Sequence, residues 1–121
     1  MTLPLTPEML EASYDLIKTM PPYWTWKLPD SDEVKFVVCG DPTIFGKCDW
    51  VNGEFTISIS DKNVGFAVTL LSTMAHEMLH LYEMNAGLHS KNATPKSHSQ
   101  RFRRLSKQVC KWLGFDPKSF I

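Results

Sequence analysis

His76, Glu77 and His80 are the residues of this 121-residue chain best placed to do chemistry. They stand in the run His76-Glu77-Met78-Leu79-His80, with the two imidazoles four residues apart. On an α-helix that separation is about 40° of rotation and about 6 Å of rise, so both rings can point at one ion. Glu77 lies beside them, where a carboxylate can take a proton from water held at that ion. H-E-x-x-H thus supplies two metal ligands and a general base, the elements of zinc-assisted hydrolysis. Zn2+ is the expected cofactor.

A catalytic zinc is usually held by three protein ligands, with a fourth position left open. His76 and His80 therefore need a partner, and the remaining histidines are His89 and His98. The metzincin continuation is absent, because Glu83 stands where that pattern needs Gly and Ala86 where it needs His. A downstream carboxylate ligand is excluded as well, since no Asp or Glu occurs between Glu83 and Asp116. Glu83 could act only by supporting a ligand, and an exposed position is the alternative. His98 is the stronger candidate: at the start of a last helix it can be aimed inward, with Phe102 four residues on sharing its face. His89, in a short loop after Gly87, is expected to be exposed.

The elements that must position these residues follow from periodicity and breakers. Thr6-Pro7-Glu8 reads as an N-cap, a first-turn proline and a first-turn acid. Met9, Leu10, Ser13, Tyr14, Leu16, Ile17 and Met20 then trace one helical stripe, ended by Pro21-Pro22. An irregular stretch with Trp24 and Trp26 is expected to lie over the core edge. Val34–Cys39 reads as a short strand, and Gly40-Asp41-Pro42 as a turn. Lys47–Val51 and Glu54–Ser60 flank Asn52-Gly53, a strong hairpin signal. Phe55, Ile57 and Ile59 alternate with polar residues, which implies one buried and one wet face.

From about Val64 to Asn85 the chain lacks proline and is apolar nearly all round, as in a helix buried in a core, with Gly87 as its C-terminal stop. A last helix is expected from Thr94-Pro95 or Ser97, with Phe102, Leu105, Val109, Trp112 and Leu113 as its stripe and Gly114 as its end. The expected fold is α+β: a small antiparallel sheet packed on helices, with a central helix carrying H-E-x-x-H. Glu54–Ser60 is the candidate sheet edge for pairing with an extended substrate.

Met74-Ala75-His76-Glu77-Met78-Leu79-His80-Leu81, followed by His98-Ser99-Gln100-Arg101-Phe102, resembles the SprT-like metallopeptidases. That family combines an HExxH helix with a later His followed four residues on by an aromatic. Ser99 stands where Gly or Asn is usual. The resemblance covers about residues 33 to 113 and implies a minimal zincin-like domain over 1–121. His76, His80 and His98 would be the zinc ligands and Glu77 the catalytic base. No cysteine-rich zinc ribbon follows in this sequence. Relatives act on proteins bound or crosslinked to DNA. Compact stand-alone forms occur among phage-encoded proteins, which extends the expectation to a virus-encoded protein in a bacterial host.

Composition narrows the class. With 43% hydrophobic and 21% charged residues, the chain reads as an ordinary globular protein rather than a disordered one. No apolar run approaches the roughly 20 residues that span a bilayer, and the first residues lack the pattern of a signal peptide. Cys39, Cys48 and Cys110 form no C-x-x-C pair, so free thiols in a cytoplasmic setting are favoured over a Cys39–Cys48 bridge. Between Met84 and Phe115 there is no acid, while Lys91, Lys96, Arg101, Arg103, Arg104, Lys107 and Lys111 are basic. That stretch is a candidate contact for nucleic acid, or else a solvated helix face.

The expected activity is zinc-dependent hydrolysis of a protein or peptide. Glu77 serves as general base, and Tyr82 and His89 are candidate donors to the developing oxyanion. A zinc-free helical interaction domain with an accidental motif is one competing reading, and a non-enzymatic zinc-stabilised binding module for nucleic acid or a partner protein is the other. An intact glutamate beside the ligands argues against the module, because a structural site needs no base.

Overall fold

The computed structural model describes residues 4–87 and 98–120. The first helix, α1, is Pro7–Lys18, with Thr6 as its N-cap accepting from the Met9 amide at 3.2 Å. Its buried face is Leu10, Ser13, Tyr14 and Ile17, whereas Leu16 and Met20 from the expected stripe are exposed. A 3-10 turn at Tyr23–Thr25 follows, the first of two before the sheet. Trp26 packs beneath it against Tyr23, while Trp24 points to solvent rather than over the core edge.

Three strands come next: β1 (Val34–Cys39), β2 (Gly46–Val51) and β3 (Glu54–Ser60). The Asn52-Gly53 hairpin forms as expected, with φ of 52° and 77° at its two central residues. The sheet is mixed rather than antiparallel, in the order β1-β3-β2, with β1 parallel to β3 and β2 antiparallel to it. The chain leaving β1 passes over the position of β3 before entering β2. Residues at the end of β3 hold that crossover: Ser60 Oγ donates to the Asp41 carbonyl, and Asn63 Nδ2 donates to the carbonyls of Pro42 and Ile44.

Glu54–Ser60 is consequently the central strand, which corrects its assignment as the substrate edge. The residues read as its wet face explain the error. Ser58 and Ser60 are buried, and small hydroxyls are tolerated inside when they are bonded, as Ser60 is to Asp41.

Helix α2 is Ala67–Asn85, closed by Ala86 and by Gly87 at φ 68°. From Leu70 to Glu83 it is buried against α1, the sheet and the helix that follows. Its entry is not: Phe66 and Val68 are 60% and 72% exposed. Helix α3 is Gln100–Leu113, ended by Gly114 at φ 78°. Its N-cap is Ser99, so His98 immediately precedes the helix instead of lying in its first turn. A short α4, Pro117–Phe120, returns against α2 and α3 and buries Phe120.

Candidate metal centre and cleft

His76, Glu77 and His80 lie in the second half of α2, and the chain entering α3 brings His98 to them. The three histidines each offer a ring nitrogen, and these atoms lie within 4.8 Å of one another. A tetrahedral zinc with bonds of about 2.0–2.1 Å separates its nitrogens by roughly 3.4 Å, so small ring rotations would bring the three onto one ion. Their donor chemistry suits it. Burial lowers the His76 pKa to about 4, with the backbone bond to Phe120 working against that shift and the neighbouring His98 adding to it. Burial and the two other histidines lower His80 to about 3, and burial followed by the Arg103 charge also lowers His98. The rings are therefore neutral at neutral pH, as metal ligands must be.

Phe102 organises the cluster. Its ring is fully buried and stacks on His98 at 4.5 Å and on His80 at 4.3 Å, and meets His76 edge-on at 5.2 Å. The spacing His98-x-x-x-Phe102 made this contact legible in the sequence. A second support was not. The Nδ1 of His76 lies 2.6 Å from the Phe120 carbonyl, which can only accept. Nδ1 therefore carries the proton, and the lone pair sits on Nε2, the tautomer a ligand needs. Since any residue supplies a backbone carbonyl, no sequence signal could have revealed this role.

Glu77 is 4% exposed. Burial and then the charge of Asp49 push its carboxyl up to about 8. Cys48, also buried, has its thiol raised well above the ordinary value by burial and then by Glu77. Cys39, Cys48 and Cys110 are all free.

The cluster opens into a cleft of about 690 Å³. Its floor is α2 from Val68 to His80, one wall is Thr43–Lys47, and the other is the segment from Gly114 to Phe120. Gly46 lets the first wall approach: a Cβ there would meet Ser58 O at 2.9 Å and Thr73 Cγ2 at 3.1 Å. An isolated glycine entering a strand is the available signal for such a contact. The wall is also a sheet edge. The Ser60 amide bonds the Phe45 carbonyl, and the register runs on through Lys47↔Ser58. Phe45, Lys47, Asp49 and Val51 thus bond toward β3, while the main-chain groups of Gly46, Cys48 and Trp50 face outward.

Tyr82 stacks on Trp26 at 4.4 Å and does not line the cleft. His89, Lys91 and Lys96 lie outside the described residues. Of the remaining basic residues, Arg101 is half-buried, whereas Arg103, Arg104, Lys107 and Lys111 are exposed on α3. No helix among the described residues is long and apolar enough to cross a membrane. No protein-family model matches the chain, and no curated protein matches it.

Proposed function

We propose that this protein is a zinc-dependent peptidase of the SprT-like, zincin type, with His76, His80 and His98 as ligands and Glu77 as general base. The observation that carries the reading is the convergence of three neutral imidazoles beside a buried carboxylate at the floor of an open cleft. A purely structural zinc site would be closed and would gain nothing from that carboxylate, so the cleft and Glu77 favour catalysis over a binding module.

When bound, the zinc ion would activate water and polarise the scissile carbonyl. Glu77 would accept the proton of the attacking water and return it to the leaving amine: burial, which raises its carboxyl to about 8, makes it a strong base, and the charge of a bound ion would favour its ionised form. Phe120 holds the His76 ring in register, and Phe102 fixes the planes of the other two. An extended substrate would pair along β2, where Gly46 and Cys48 turn main-chain groups outward. This edge takes the place of Glu54–Ser60. The exposed basic face of α3, Arg103, Arg104, Lys107 and Lys111, supports substrates held on nucleic acid.

Hydrolysis of an unfolded protein by zinc-loaded wild type and by Glu77→Gln is the test. The variant should keep its zinc and lose activity by at least about a hundredfold. Undiminished turnover in Glu77→Gln, or none in zinc-loaded wild type, would overturn the proposal.

A further inference from the structure

Glu83 is a buried carboxylate that the hydrolytic mechanism does not use. It lies on α2 one turn beyond His80 and is 4% exposed. The Ser99 hydroxyl donates to its Oε2 at 3.2 Å, and the same hydroxyl oxygen accepts from the Phe102 amide at 3.0 Å, capping α3. Ser99 therefore joins two elements at once. Its neighbour in the chain is His98, and the amide it caps belongs to Phe102, the ring on which His98 stacks at an interplanar angle of 5°.

From these contacts we infer that Glu83 is a positioning residue: through Ser99 it ties the start of α3 to α2 and so sets His98 opposite His76 and His80. The inference rests on the zinc reading proposed above. His76 and His80 are spaced by the α2 backbone alone, but His98 arrives from a different segment, and its distance from them depends on how α3 is docked. A carboxylate suits the task because it accepts from Ser99 and lies near the positive end of α3. Ser99 suits it because a hydroxyl donates and accepts together. Alanine at either position removes the tie without touching a ligand.

The test is zinc affinity of the full chain, measured by competition with a chromophoric chelator, together with the visible spectrum of the cobalt-substituted protein. Glu83→Ala and Ser99→Ala should each weaken zinc binding by about ten- to a hundredfold and alter the cobalt spectrum. Ser99→Thr, which keeps the hydroxyl, should stay within about threefold of wild type. The double variant should fall short of the sum of the two single losses, because the bond that joins the two residues can be lost only once. Ser99 is itself exposed, so Ser99→Ala removes the cap and the tie without emptying the core, and it keeps the test decisive if Glu83→Ala fails to fold. Wild-type zinc affinity and spectrum in Ser99→Ala would overturn the inference while leaving the zinc site standing. Failure of wild type to bind zinc would instead remove the reading beneath it.

Discussion

Gly46→Ala offers a worked test of how the cleft wall is held. The backbone there has no positive φ, so alanine is conformationally allowed. Reduced freedom of the unfolded chain would by itself stabilise by about 0.5–1 kcal/mol. Against that stands the new methyl, 2.9 Å from Ser58 O, 3.0 Å from Ile59 Cδ1 and 3.1 Å from Thr73 Cγ2. Ile59 Cδ1 can rotate away. The Ser58 carbonyl belongs to the central strand, and Thr73 is β-branched on a helix with little rotamer freedom. Overpacking of this kind costs about 1–3 kcal/mol, and with two of the three neighbours unable to yield the upper half of that range applies, so the clash wins by about 1–2 kcal/mol.

At about 2.1 cal/mol/K of unfolding entropy per residue, 121 residues give about 0.25 kcal/mol/K, and the melting temperature should fall by about 4–8 °C. Thr73→Ser removes the facing methyl. In a double-mutant cycle it should recover about 1 kcal/mol in the alanine background and none in wild type. Thermal melts of the four proteins decide it. A Gly46→Ala protein as stable as wild type, or an equal effect of Thr73→Ser in both backgrounds, refutes the close-approach argument.

Phe102→Ala deletes the ring that touches all three histidines. It should cost about 3–5 kcal/mol in stability and shrink the rise in melting temperature that zinc produces; an undiminished zinc-induced rise would show that the ring does not organise the ligands. In metal-stripped protein, the Glu77 carboxyl titrates at about 8 when folded and near its ordinary 4.5 when unfolded, so between those values the folded state binds the extra proton. Stability should therefore fall as pH rises. The lowered pKa values of His76 and His80 act in the opposite sense, but only below their ordinary 6.5. From pH 6.5 to 8 the wild-type melting temperature should thus decline while that of Glu77→Gln stays flatter, and matching slopes would contradict the assignment.

What was legible in the sequence was local. Thr6-Pro7, Asn52-Gly53, Gly87 and Gly114 each fixed an element boundary through backbone geometry that few residues supply. The pairing of His98 with Phe102 followed from a four-residue spacing. Strand order was not legible, because it depends on contacts between distant segments: a wet-looking Ser60 becomes an interior anchor only once Asp41 crosses above it. The start of α3 was ambiguous for a related reason. Thr94, Ser97 and Ser99 are all competent caps, and it is the placement of the Phe102 amide that selects Ser99. The exposure of Val68 likewise reflects the cleft that it lines at the entry to α2, which an all-round apolar pattern cannot reveal.

The central claim is that three histidines hold one zinc ion with a position left open for water. Zinc K-edge absorption on protein loaded with one equivalent of metal tests it most directly. Three imidazole nitrogens and one oxygen, all at about 2.0–2.2 Å, are expected. Sulfur scattering at about 2.3 Å, or fewer than three imidazoles, would contradict the account.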